Sequence, residues 1–249
     1  MRIDVFGAVF LDKYIYEVHD SIEEVESIGG SGLNIALGLH LLGWDVKFYG
    51  NIGRDERGSR VLKELEHYGF PMESIFIKDG ITGLFVAKND RVLSVEREVN
   101  AEPLNINMDS LGGECAVITT ELNRTTIEKI LSYRWEKIFI DIGPRPHILE
   151  DIYLPRNVVK IGNAKEDRVH PCHVVKLGLY GAKWGDILAE GSNKSLPYTI
   201  GAGDLFDTIL IHNILKGRDR KTALSLAVEY AERGCKIKGG FKLEKIRGV

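Results

Sequence analysis

The chain has 249 residues, 44% of them apolar and 28% charged, with a formal net charge of −3. This composition excludes a disordered or fibrous protein. The negative balance excludes a generally basic surface, so bulk attraction to nucleic acid is not its activity and any anion site must be local. Cys115, Cys172 and Cys235 form an odd set without CxxC spacing, which predicts buried, reduced and inert thiols in a cytoplasmic protein. Asp4, Asp12 and Lys13 break up the early apolar stretch before it can serve as a signal-peptide core, and no apolar run of about 18 residues offers a membrane span.

Ile3 to Phe10 has the pattern of a strand buried on both faces. From Leu33 to Leu42 the apolar residues fall at helical spacing and stop at Gly43, and Val46 to Tyr49 predicts the next strand. Val61, Leu62, Leu65 and Tyr68 mark a second helix, closed by Gly69 and Pro71. Between residues 73 and 100 the pattern changes to short alternating runs, Ser74 to Lys78, Thr82 to Lys88 and Arg91 to Glu96, with Asp79-Gly80 and Asn89-Asp90 as turns. Such a meander is too small for a core of its own; together with residues 12–20 it is expected to form a lid. Alternation then resumes with strand Ala116 to Thr120, helix Thr125 to Tyr133, and strands Lys137 to Ile142, Val158 to Ile161 and His173 to Leu177. Helices are predicted over Asp204 to Lys216 and Arg220 to Arg233. Strands alternating with helices imply a parallel, doubly wound sheet, and no linker divides the chain, so residues 1–249 are expected to form one α/β domain.

Two glycine-rich segments run directly into helices. At Thr199-Ile200-Gly201-Ala202-Gly203-Asp204 the unpaired N–H groups of a helix start make an anion site, and the helix dipole favours an ionised Asp204 that can accept a proton from an attacking hydroxyl. An Asp at a helix start is equally an ordinary cap. The second segment, Gly29-Gly30-Ser31-Gly32-Leu33-Asn34, also opens a helix. Two such loops in an α/β chain suggest a cleft with two ligand-facing backbone surfaces beyond the strand carboxyl ends.

With both segments in place the chain resembles the ribokinase (PfkB) family of carbohydrate and nucleoside kinases. Gly29, Gly30 and Asn34, continuing through Gly50-Asn51-Ile52-Gly53-Arg54-Asp55-Glu56-Arg57-Gly58, resemble one family signature, and Gly201 to Asp204 resemble the other, a G-A-G-D core. The resemblance implies an α/β fold of three α/β/α layers, Rossmann-like, with a mainly parallel central sheet and a small β-strand lid. It implies ATP-dependent phosphorylation of a hydroxyl on a sugar, polyol or nucleoside, with magnesium. Asp204 would be the base, and Gly201, Ala202 and Gly203 the anion hole. Asp12, Gly29, Gly30, Asn34 and Glu121 would hold the substrate. Asn163 and Glu166, an N-x-x-E motif, would organise magnesium and phosphate, while Lys176, Gly178 and Gly181 join Asn163, Gly201 and Gly203 on the nucleotide side. A homodimer through the lid strands is compatible with the family and with exposed sheet edges.

The chain departs from the family in two places. The Asp followed by Thr-Thr or Thr-Asn that usually precedes the core is replaced by Tyr198-Thr199-Ile200. That region helps hold a monovalent cation in relatives, so the resemblance does not carry potassium activation over to this chain. Only Asp167 to Cys172 separate the N-x-x-E motif from the next strand, a trimmed connection. No G-x-x-x-x-G-K-[ST] loop is present, and Phe206 stands where a dinucleotide fingerprint needs its third glycine. The alternative from another class is a non-catalytic sugar or nucleotide sensor that keeps the fold; retention of Asp204, Asn163 and Glu166 favours catalysis. Arg97, between Glu96 and Glu98, reads as solvated surface.

Overall fold

The computed structural model describes residues 1–19 and 21–242. Residues 20 and 243–249, which the lid and single-domain expectations include, lie outside them. Strand β1 (Arg2–Phe6) is followed by β2 (Phe10–Val18), β3 (Ser21–Gly29), helix α1 (Ser31–Leu41), β4 (Asp45–Gly53), α2 (Glu56–His67), β5 (Ile75–Lys78), β6 (Gly83–Lys88) and β7 (Arg91–Glu96). The second half runs β8 (Cys115–Thr119), α3 (Arg124–Leu131), β9 (Lys137–Asp141), β10 (Val158–Asn163), α4 (Glu166–Val169), β11 (Val174–Lys176), β12 (Gly181–Trp184), β13 (Ile187–Glu190), α5 (Ala202–Leu215) and α6 (Arg220–Gly234).

The large sheet has the order β13-β12-β11-β10-β9-β8-β1-β4-β5, parallel from β5 through β11, with β12 and β13 antiparallel at one edge. Its strands are apolar on both faces because successive side chains alternate between two cores. Val5, Val117, Phe139 and Ile161 pack with Leu33 and Leu37 of α1, Ile209 of α5 and Leu224 of α6. Phe6, Ile118 and Ile140 face the other way, onto Ile127 and Ile130 of α3. Helices therefore cover both faces, giving three α/β/α layers. Among the described residues no helix is long and apolar enough to cross a membrane.

A second sheet, β3-β2-β6-β7, stands beside the cleft. Its composition differs from the sequence expectation twice. The first run of the meander, Ile75–Lys78, belongs to the large sheet, where it pairs in parallel with β4 after the α2 crossover. In its place stands β3, a Glu-rich strand whose first six residues are exposed or half-buried and which pairs along its length with β2. The strand predicted over Ile3 to Phe10 is likewise split, with β1 ending at Phe6 and β2 starting at Phe10.

Candidate active site

The functional side chains gather where the parallel strands end. Asp141, Asn163 and Lys176 are the last residues of β9, β10 and β11, and Glu121 lies just beyond β8. This is where ligands sit in open α/β sheets. A cavity of about 770 Å³ is lined by Asp12, Gly30, Asn34 and Glu121 at one end, Asn163, Glu166, Lys176, Gly178 and Gly181 at the other, and Gly201 to Asp204 between them.

Gly201 takes a left-handed φ of 77° and packs so closely on the backbone of Gly240 that a Cβ would lie 1.9 Å from the Gly240 carbonyl oxygen. Glycine alone suits both demands. Helix α5 starts at Ala202 rather than at Asp204, so Asp204 sits inside the first turn and is not the cap. The Ala202 N–H donates to the Thr199 carbonyl at 3.1 Å and is engaged, whereas first-turn geometry leaves the N–H groups of Gly203 and Asp204 without intrahelical acceptors.

Asn34 Nδ2 donates to Asp204 Oδ2 at 2.7 Å, joining the two glycine segments. Burial pushes the Asp204 carboxyl up to about 6; the Asn34 hydrogen bond opposes the rise, and the Asp141 and Glu121 charges add to it. The buried Asn34 Oδ1 has no partner.

Asp12, 6% exposed, accepts a 2.6 Å hydrogen bond from the Tyr14 hydroxyl. Burial raises its carboxyl well above the usual range against the pull of that bond. The Asp12 carboxylate lies where a side chain on residue 29 would be, since a Cβ on Gly29 would stand 1.8 Å from Asp12 Oδ1. Glu121 serves the loop more than the cavity. Its oxygens accept from the Ser31, Gly32 and Ala8 N–H groups at 3.0, 3.2 and 3.3 Å and from Thr119 Oγ1 at 3.0 Å, capping α1, whose own N-cap Gly30 has no side chain. Arg97 is not solvated surface: it lines the cleft and donates to the carbonyls of Asn100 and Glu121.

At the far end, Asn163 donates to both Glu166 oxygens, from its N–H at 2.7 Å and its amide at 2.6 Å. Burial raises the Glu166 carboxyl while those donors oppose the rise. The Lys176 ammonium meets both oxygens of Asp207 at 3.1 and 3.0 Å and lies 3.8 Å from Asp141. Burial alone would lower Lys176, but the two carboxylates hold it protonated, above its usual value. A Cβ on Gly203 would stand 3.6 Å from that ammonium, so Lys176 lies against the turn at Gly201 to Asp204. Leu179, Leu196, Val228 and Ala231 add an apolar wall beside Gly178 and Gly181.

No group of three or more His, Cys, Asp or Glu side chains among the described residues forms a metal cage. Asp141 and Glu166 nevertheless both line the cleft, and one or two carboxylates completed by phosphate oxygens and water are what magnesium takes. The donor set fits. The three cysteines are free; Cys115 and Cys235 are buried and Cys172 half-buried, the last differing from the expectation of full burial. Burial pushes Cys115 and Cys172 up to about 12, which keeps them as unreactive thiols.

Several residues in or behind the cleft were not identified from the sequence. Asp141, which lines it, carried a weak signal, an acidic residue closing an apolar strand. Asp207, buried behind the cleft against Lys176, carried none. Asp90, in the β6–β7 turn, accepts from the N–H groups of Thr199 at 2.6 Å and Ile200 at 3.1 Å, so the tip of the small sheet is tied to the segment just before Gly201.

Comparisons with known proteins agree with this geometry. Residues 2–111 match the model of the pfkB family carbohydrate kinases. A guanosine-inosine kinase of Exiguobacterium acetylicum is 28% identical, the match covering 92% of this chain and 93% of that protein. The ribokinase of Thermotoga maritima superposes with a TM-score of 0.80 at 19% identity, over 97% of this chain and 95% of that one. The ribokinase of Cryptococcus neoformans, solved with ADP, gives 0.76 at 18% identity, over 97% and 96%. The chain is thus similar to the pfkB family carbohydrate kinases over residues 2–111 and shares the ribokinase fold along nearly its whole length.

Proposed function

We propose that the protein transfers the γ-phosphoryl group of ATP to a hydroxyl of a nucleoside. The observation that carries this reading is Asp204, a carboxylate poised at about 6 in the first turn of α5, held by Asn34 midway along a two-ended cleft. The nucleotide lies along Gly178, Gly181 and the apolar wall, its phosphates against the N–H groups of Gly203 and Asp204. The acceptor hydroxyl lies between Asp12, Asn34 and Asp204. Its proton passes to Asp204 as the oxygen bonds to the γ-phosphorus and the bond to the departing ADP breaks. Backbone donors aimed at the phosphoryl oxygens contribute about 3 kcal/mol each in such transition states. Lys176, beneath the turn, adds positive charge from below. Magnesium, when bound near Asp141, Asn163 and Glu166, neutralises charge on the phosphates.

A nucleoside is favoured over a bare sugar by the acceptor end of the cleft, where Phe10, Tyr14, Phe85, Val92 and Val95 supply aromatic and apolar lining against which a base can pack. The relative from Exiguobacterium acetylicum is a guanosine-inosine kinase, which points the same way. Free thiols suit the cytoplasm. A homodimer through the small sheet is part of the proposal: all six residues of β7 are exposed, with Val92, Leu93 and Val95 between 50 and 59% accessible. Release of ADP on addition of inosine, guanosine, adenosine, ribose or fructose tests the reading, and a sugar outpacing every nucleoside would refute the nucleoside assignment.

A further inference from the structure

Lys242 is 1% exposed, and its ammonium donates to three main-chain carbonyls: Tyr198 at 3.1 Å, Gly234 at 3.1 Å and Ile237 at 2.7 Å. Three N–H bonds thus meet three acceptors. A charge this deeply buried survives only where its partners are fixed. Gly234 is the last residue of α6 and Ile237 follows it, so the ammonium sits at the negative end of a helix dipole. Tyr198 belongs to the segment that leads into the anion turn. The chain around Lys242 reaches the same turn by another route, because the carbonyl of Gly240 packs on Gly201. The N–H of Gly239 also donates to the Tyr16 hydroxyl of β2 at 2.9 Å. One side chain therefore ties together the end of α6, the approach to the anion turn and the segment behind it.

In relatives the region that corresponds to Tyr198-Thr199-Ile200 helps hold a monovalent cation. The residues here do not fit an exchangeable ion: the family's carboxylate is absent, and the Tyr198 carbonyl already faces an ammonium in a cage of carbonyls. We infer that Lys242 is a tethered cation, a positioning residue that holds the anion turn in its phosphate-binding shape and makes the protein independent of potassium. This rests on the phosphoryl-transfer reading of the cleft.

The test compares wild type with Lys242→Ala in choline, sodium, potassium and ammonium chloride at one ionic strength, reading ADP affinity by calorimetry, melting temperature, and kcat and KM with inosine and ATP. Wild type is expected to be indifferent to the cation in every readout. Lys242→Ala should lose kcat by roughly 10²-fold, the scale of a small misplacement at a reacting centre, and regain it in potassium or ammonium together with ADP affinity. Wild type activated by potassium, or an alanine variant equally active in choline, would overturn the inference, as would a folded variant that no cation restores. Lys242→Met, which keeps the apolar stem, replaces alanine if the latter does not fold, and the wild-type arm decides independently of either. ADP binding that ignores potassium in a protein that phosphorylates nothing would sink the kinase reading and leave Lys242's role standing.

Discussion

Asn34 and Asp204 lie 170 positions apart in sequence and 2.7 Å apart in space, the amide donating to the carboxylate across the mouth of the cleft. The bond joins the start of α1 to the start of α5, and so the two glycine-rich segments that line the cavity. Its companion Asn34 Oδ1 is buried and has no hydrogen-bond partner among the described residues.

Under the proposed mechanism Asp204 sets the acid limb of the pH profile. As a base it acts only when ionised, so kcat/KM should fall about tenfold per unit once pH drops below about 6. Asp204→Asn should cut kcat by orders of magnitude and leave ADP affinity nearly unchanged. The same residue makes an opposite prediction for stability. Its folded-state value lies above its ordinary 3.8, so the folded state holds the proton more tightly, and wild type loses stability as pH rises from about 4 through about 6. The asparagine variant lacks this loss and should melt higher than wild type at pH 8, but not at pH 4. A neutral variant less stable at pH 8 contradicts the burial of an ionised Asp204.

Gly29 should be intolerant of alanine for a reason confined to the acceptor. The new Cβ would occupy the place of the Asp12 carboxylate, which must then move. Gly29→Ala is expected to raise KM for the nucleoside by an order of magnitude or more while ADP affinity, measured separately, holds. Equal losses for both ligands would remove Asp12 from the acceptor site.

Lys176→Met should destabilise by about 3–5 kcal/mol, since it strands Asp207 and Asp141 without their cation. Denaturant titration should find the loss smaller at pH 5 than at pH 8, because carboxylates without a cation take up protons. Lys176→Met with Asp207→Leu should recover part of the stability but not the nucleotide affinity. Recovery of both would make Lys176 a purely structural ion.

Leu93→Glu places a charge on the exposed strand β7. Sedimentation should give a dimer for wild type and a monomer for the variant. A monomeric wild type at all concentrations contradicts pairing through the small sheet.

The parts of this site that were legible in the sequence are those in which a local conformation carries the chemistry. Gly201 and Gly30 adopt φ values of 77° and 101° at the starts of helices, and glycine followed by apolar periodicity announces both. The alternating strands were legible for the same reason. What escaped was set by long-range contact. Asp207 acquires its role from Lys176, 31 positions away, Asp90 from Thr199, 109 positions away, and Lys242 from a carbonyl 44 positions away. Strand β3 was hidden because most of it is solvated, so its glutamates mask the period-two pattern that burial would impose. The hairpin of β12 and β13 turns on Gly185 at φ 57°, and its Gly-Asp step is a turn signal, but its two four-residue strands are too short to show a clear alternation.

The most direct measurement is phosphorus NMR of the purified protein incubated with ATP, magnesium and inosine or guanosine, beside Asp204→Asn. A nucleoside monophosphate resonance should grow in step with ADP for wild type and be absent for the variant. Tight ATP binding with no phosphoryl transfer to any nucleoside, sugar or polyol, or transfer undiminished in Asp204→Asn, would contradict it.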